Sequence, residues 1–112
     1  MTRIIVFSLE ECPYSIDAEH KLSGKRKVKI IKVGHDNKHK FKAKNKMNTF
    51  PQIFLQSKDK MIKIGGNSDL TSLMNVIEDA KSKKDLDYIV NKLNNISASR
   101  KEKLKLIKIL LE

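Results

Sequence analysis

Cysteine occurs once in this chain of 112 residues, as Cys12. A lone thiol excludes an intramolecular disulfide and any cysteine-only metal site within one chain, and it fits a reducing compartment, so a cytoplasmic protein is expected. Proline is almost as scarce, with Pro13 and Pro51 alone, and glycine occurs four times. That composition excludes a Pro-rich linker, a collagen-like chain and a disordered tail. No apolar run is long: Ile4 to Phe7 is far too short for a signal-peptide core or a membrane span, and no membrane association is expected. Aromatic residues make up 5% of the chain, and acidic residues number 13 against 24 Lys+Arg, a formal charge of +11. The charge favours anionic partners in general. Yet no aromatic residues interleave with the basic runs Lys25–Lys32 and Lys38–Lys46 in the pattern of an RNA-binding surface. These runs read as solvated faces, and no nucleic-acid partner is expected.

What is present is one core's worth of chain, 39% hydrophobic and 33% charged. Arg3 to Ser8 and Lys27 to Val33 are apolar, β-branched runs separated by a helix-compatible stretch, the pattern of strand, crossover helix and parallel strand. Pro13 suits the first helical position, which makes Cys12 the N-cap of a helix running towards Leu22 and stopped by Gly24. Asp36 to Lys46 lacks a strong apolar face and reads as a short exposed helix or loop. Gln52–Gln56 and Met61–Ile64 flank a polar turn and predict an antiparallel hairpin. Asn67, Ser68 and Asp69 then offer N-cap chemistry for a helix carrying Leu70, Leu73, Met74 and Ile77. Asp85–Asn94 and Ser99–Leu111 predict two more helices, the second opening with a Ser99-x-x-Glu102 capping box. The expected organisation is an α/β domain over 1–84, with C-terminal helices over 85–112 packed on it.

Strand, Cys-x-x-Ser, helix, strand is a reactive arrangement for an electrostatic reason. The N-terminus of a helix presents unsatisfied N–H groups and the positive end of the macrodipole, which stabilise a thiolate, the species that attacks disulfides. Cys12 lies between Glu11 and Pro13 at an element boundary and not inside an apolar run, so a reactive thiol outweighs an inert buried one.

Three motifs in order then carry a resemblance. Cys12-Pro13-Tyr14-Ser15, Thr49-Phe50-Pro51-Gln52-Ile53-Phe54-Leu55 and Lys63-Ile64-Gly65-Gly66-Asn67-Ser68-Asp69-Leu70 resemble the CPY[C/S], TVPQ[V/I]FI and IGGxxDL motifs of the glutaredoxin family, across roughly residues 2 to 80. The resemblance implies a thioredoxin-like fold, a four-stranded mixed sheet flanked by helices, here with a C-terminal helical extension. It implies that Pro51 is a cis-proline and that Thr49, Phe50 and Pro51 hold the cysteinyl part of glutathione. Gly66, Ser68 and Asp69 are implied to hold its γ-glutamyl end. It further implies that Cys12 is the nucleophile, with Tyr14 beside it.

Ser15 stands where a resolving cysteine would be. The dithiol route is closed, and the implied activity is monothiol, glutathione-dependent thiol–disulfide exchange on glutathionylated proteins. Ser15, about one turn along, is placed to donate a hydrogen bond to the Cys12 thiolate. The family usually has lysine three positions before the cysteine, and this chain has Leu9 there, followed by Glu10 and Glu11. Acidic neighbours oppose thiolate formation, so slow catalysis is expected, with Lys44 or Lys46 replacing the lost charge towards the glycine carboxylate.

Other readings stand beside this one. Monothiol members can bridge a [2Fe-2S] cluster between two subunits through the active-site cysteine and glutathione, in which case Cys12 is the only protein ligand needed; otherwise no metal is expected. A redox-silent adaptor would keep the fold and use its groove for docking. His35 and His39, four apart, lack a third ligand and read as adventitious. Leu104, Ile107 and Leu111 form a stripe expected to pack on the parent domain, which leaves a monomer.

Overall fold

The computed structural model of the chain describes residues 2–81 and 85–112. Strands β1 (Thr2–Leu9), β2 (Val28–Val33), β3 (Gln52–Ser57) and β4 (Lys60–Gly65) form one sheet in the spatial order β2-β1-β3-β4. β1 and β2 are parallel, with Ile4 opposite Val28 and Leu9 opposite Val33. A parallel pair needs a crossover, which helix α1 (Pro13–Lys21) supplies. β3 runs antiparallel to both β1 and β4. Ser57 pairs with Lys60, so the hairpin loop is Lys58 and Asp59 alone and the strands run further than the expected Gln52–Gln56 and Met61–Ile64. Lys58 takes φ 55°, the positive value with which a two-residue turn matches the twist of its strands.

Alternation along the two central strands sorts their side chains into two cores. Ile4, Val6, Ile53 and Leu55 meet Ala18 and Leu22 of α1 and Leu70, Leu73 and Ile77 of α3 (Asn67–Lys81). On the other face Ile5, Phe7 and Phe54 meet Met47 and Phe50, with Phe41 of α2 (Lys38–Asn45) packed against them. The Phe7 ring lies 5.3 Å from that of Phe41 and 5.9 Å, edge on, from that of Phe54. One half-buried aromatic thus anchors the otherwise polar stretch from Asp36 to Lys46, which forms a helix after a short 3-10 turn at His35–Asn37.

The C-terminal helices α4 (Leu86–Lys92) and α5 (Arg100–Leu111) belong to the first core, through Ile89, Val90, Leu106, Ile107, Ile109 and Leu110. Of the boundary expected at Lys84–Asp85, Lys84 lies outside the described residues, while Asp85 accepts from the Asp87 and Tyr88 N–H groups as the N-cap of α4. On α5 the buried face differs from the expected Leu104, Ile107, Leu111 stripe. Leu106, Ile107, Ile109 and Leu110 are buried and Leu111 is exposed. A helix wedged between β1 and α3/α4 needs a broad apolar face of adjacent pairs, and a single-file stripe is too narrow for that. The capping box is present, with Ser99 N–H donating to Glu102 Oε1 at 2.9 Å and Glu102 N–H to Ser99 Oγ at 3.2 Å. At the other end Lys25 Nζ donates to the main-chain oxygens of Leu110 and Glu112 at 2.8 and 2.9 Å, satisfying carbonyls that a helix C-terminus leaves open.

Candidate active site

β1 carries the chain to one end of the sheet, where Glu10 and Glu11 turn it back into α1. Cys12 N–H donates to the Leu9 carbonyl at 3.4 Å across this turn, and Glu11 sits at φ 58°, a region that non-glycine residues seldom occupy. Cys12 is the N-cap of α1 and Pro13 its first residue. The Cys12 side chain makes no capping bond, so the sulfur stands at a helix terminus whose N–H groups favour negative charge. The thiol is half-buried.

Two further bonds fix that turn. Ser15 is fully buried, and its Oγ accepts the Leu9 N–H at 3.1 Å. That bond to the backbone of β1 holds the loop that presents the thiol, and it leaves the Ser15 hydroxyl hydrogen free to donate. Below it, Glu19 accepts from Ser8 Oγ at 2.5 Å and from Lys32 Nζ at 2.6 and 2.8 Å. Lys32 first, and then Ser8, hold the Glu19 carboxyl below its ordinary range. α1 is in this way clamped to both parallel strands. The Leu9 side chain is half-buried against the Phe7 core.

Facing Cys12 is the segment between α2 and β3. Lys46 ends α2 in the left-handed region at φ 54°, and Met47 N–H donates back to the Lys42 carbonyl at 3.1 Å. The Phe50–Pro51 peptide is cis, as the sequence motif implied. The Cys12 sulfur lies 4.0 Å from the Phe50 carbonyl oxygen. Gln52 anchors the segment from below: wholly buried, it donates to the Met47 carbonyl at 3.2 Å and accepts from Asn45 Nδ2 at 2.8 Å.

A third wall is the start of α3. Leu70 N–H donates to the Gly66 carbonyl at 3.1 Å, which makes Gly66, and not Asn67 to Asp69, the N-cap. Asp69, the third helical residue, reaches back to accept the Gly66 N–H at 2.8 Å, as the acidic partner in a capping box does. The first glycine has a steric reason. Gly65 sits at φ 132°, and a Cβ there would lie 2.2 Å from Asp69 Oδ2, whereas a Cβ on Gly66 would meet the Pro51 carbonyl at an ordinary contact distance of 3.7 Å. Gly65 thus leaves room for Asp69 to reach back and cap its own helix.

These walls enclose an open groove of about 860 Å³. Of the residues expected to hold glutathione, Thr49, Phe50, Gly66, Ser68 and Asp69 line it, together with Tyr14. Cys12, Ser15 and Pro51 do not; the Cys12 sulfur approaches the groove at the Phe50 carbonyl. Lys46 is in the lining, whereas Lys44 is not and places its amine 6.0 Å over the Phe41 ring. Lys21 and Lys63, which sequence reading did not single out, add positive charge to the same groove. Lys21 Nζ donates to Asp17 at 2.7 Å, Thr71 Oγ1 at 2.6 Å and Asn67 Oδ1 at 3.3 Å, and Asn67 Nδ2 donates to Asp17 at 2.9 Å. Lys21, and then Asn67, hold the Asp17 carboxyl below its ordinary value. The network ties α1 to α3 across the floor. Its one signal in the sequence is the i, i+4 pair of Asp17 and Lys21.

His35 and His39 are exposed on separate short elements, and among the described residues no group of three or more His, Cys, Asp or Glu side chains is arranged to hold a metal ion.

A mixed sheet in the order β2-β1-β3-β4, a cysteine capping the first helix and a cis-proline 4.0 Å from its sulfur define a thioredoxin-like fold built around one thiol. The family model for glutaredoxin matches residues 4–60, half of the chain, and the chain belongs to that family. Membership assigns it to the thiol–disulfide oxidoreductase type. The matched span contains Cys12, Phe50 and Pro51. No curated protein matches the chain.

Proposed function

We propose that this protein is a monothiol, glutathione-dependent oxidoreductase that removes glutathione from protein thiols. The observation that carries the reading is the approach of the Cys12 sulfur, at 4.0 Å, to the carbonyl of Phe50, which lines a groove shared with the capped start of α3. In the first step the Cys12 thiolate attacks the glutathione-side sulfur of a protein–glutathione disulfide. The old S–S bond breaks, the protein leaves as its thiolate, and a Cys12–glutathione disulfide forms. In the second, the thiolate of another glutathione attacks the glutathione sulfur of that intermediate, restoring the Cys12 thiolate and releasing oxidised glutathione.

The chain's own groups suit each part of this cycle. The Phe50 N–H has no main-chain partner among the described residues, so the segment before Pro51 can pair with a short peptide as an added strand. The start of α3 offers its Ser68 N–H to a carboxylate, and Asp69 an oxygen to an ammonium. Lys46 and Lys63 also line the groove and supply positive charge for the second carboxylate. A thiol that must stay reduced between turnovers suits the cytoplasm, and one thiol per chain suffices for the cycle, so a monomer is the working unit.

The test is steady-state turnover of a glutathionylated peptide with glutathione and glutathione reductase. Wild-type protein should turn over and Cys12→Ser should not, since no second thiol exists to take its place. Residual turnover by that variant refutes the assignment of Cys12.

A further inference from the structure

The groove accounts for Lys21, Lys46 and Lys63, but much of the chain's excess positive charge lies at the opposite end of the sheet. Where β1 begins, two adjoining depressions of about 320 and 250 Å³ are lined by Lys27, Lys58, Lys60, Lys101, Lys105 and Lys108, with Lys105 common to both. Lys101, Lys105 and Lys108 are spaced four and three apart and share one face of α5. Leu106, Ile107, Ile109 and Leu110 hold the opposite face in the core. Lys60 pairs with Glu102 at 3.6 Å. Among the described residues the other five have no carboxylate within ion-pair distance. Like charges fixed side by side repel, and an anionic partner relieves that repulsion.

The chemistry of the face selects among anions. Neither depression contains an aromatic side chain to stack a base or an arginine to grip a phosphate with two parallel bonds. Glu102 and Glu112 also stand in the lining and interrupt the positive surface. A phosphodiester chain, charged at every nucleotide, meets those carboxylates head on, whereas a polypeptide can place its own carboxylates between them. We infer that this face docks an acidic polypeptide segment carried by proteins on whose thiols the enzyme acts. The eight residues of β1 separate the face from the Cys12 turn by about 25 Å, so a docked segment leaves the groove open.

Binding of a fluorescein-labelled peptide rich in glutamate, followed by anisotropy at low salt, tests this directly. The expected result is saturable binding that weakens roughly tenfold in the triple variant Lys101→Gln, Lys105→Gln, Lys108→Gln and between low and physiological salt, and that survives the corresponding triple change to Arg. An unchanged Kd in the Gln variant overturns the inference. So does tighter binding of a DNA duplex of equal charge, or of phosphatidylserine vesicles, by the wild type. A kinetic arm joins a glutathionylated peptide through a Gly/Ser spacer of about 12 residues, which spans roughly 20 Å on average, to either a Glu or a Gln tail. The Glu tail should lower KM about fivefold in wild type and not in the Gln variant. This arm rests on the proposed reaction: failure of both substrates to turn over refutes that reaction and leaves docking to the binding measurement, whereas turnover with equal KM for the two tails refutes the docking face.

Discussion

Leu9 occupies the position that the family gives to lysine, and the structure shows what the exchange does. The side chain packs on the core beside Phe7, and its backbone N–H and carbonyl tie down Ser15 and Cys12. The turn geometry is kept while a positive charge near the thiol is lost, with Glu10 and Glu11 exposed next to it. A lysine can cover the same apolar surface with its stem. Two unit charges ~6 Å apart at an effective dielectric near 20 interact by roughly 2 to 3 kcal/mol before screening. After discounting for exposure, Leu9→Lys should speed alkylation of Cys12 near neutral pH by about 3- to 10-fold. Equal alkylation rates for the two proteins would show that the helix terminus alone governs reactivity. At the other end of the groove, Asp69→Asn should raise the KM for a glutathionylated substrate about tenfold, the loss of one charge-assisted contact of ~1.5 kcal/mol. Asp69→Ala should do the same and also lower stability by about 1 kcal/mol, because it removes the acceptor for the Gly66 N–H. A KM unchanged in both variants would place the ligand elsewhere.

Among the elements, the loop between α2 and β3 depends most on one buried polar group. Gln52→Leu would leave the Met47 carbonyl and the Asn45 amide without their partner, at a cost of about 1–3 kcal/mol, and the Phe50 carbonyl would lose its fixed distance from Cys12. Chemical denaturation and the turnover rate should fall together; unchanged values of both would mean that the loop is held by other contacts. α1 is held differently, through Glu19. Its folded-state pKa is lowered from the ordinary 4.5 by Lys32 and Ser8, so its contribution is complete above that value and is lost as the pH falls through the lowered one. Glu19→Gln should therefore lower stability at neutral pH and flatten the acid limb of the stability curve below about pH 4.5. Parallel curves for the two proteins would refute this clamp.

The start of α1 was legible because its signals are local: a proline at the first helical position and a cysteine before it. The start of α3 is one to three residues earlier than the sequence indicates, because Asn67, Ser68 and Asp69 all have capping chemistry and only the Asp69–Gly66 bond decides which residue is the cap. Ser15, Gln52 and Lys21 were read incompletely for another reason. The Lys21 partners Asn67 and Thr71 are 46 and 50 residues away, and no periodicity encodes such a contact.

The whole molecule has helices on both faces of one sheet, and the C-terminal helices complete the larger core. Ile89, Val90, Leu106, Ile107, Ile109 and Leu110 are all under 10% exposed, packed with residues of β1, β3 and α3. A chain truncated after residue 84 should therefore lose its cooperative thermal transition, which circular dichroism would detect; a sharp transition in the truncated chain would mean that 85–112 is dispensable. The existence of these helices was readable from apolar spacing and the Ser99–Glu102 box. Which face of α5 enters the core was not, since that depends on where β1, α3 and α4 sit around it.

In the proposed cycle Cys12 takes glutathione, and not the protein, into its mixed disulfide. Mass spectrometry of a single turnover tests this step: the protein is mixed with an equimolar glutathionylated peptide in the absence of free glutathione and quenched with acid. The expected outcome is one glutathionyl adduct on Cys12 for each peptide thiol released, with none on Cys12→Ser. A Cys12–peptide disulfide with release of glutathione, or no adduct at all, would contradict it.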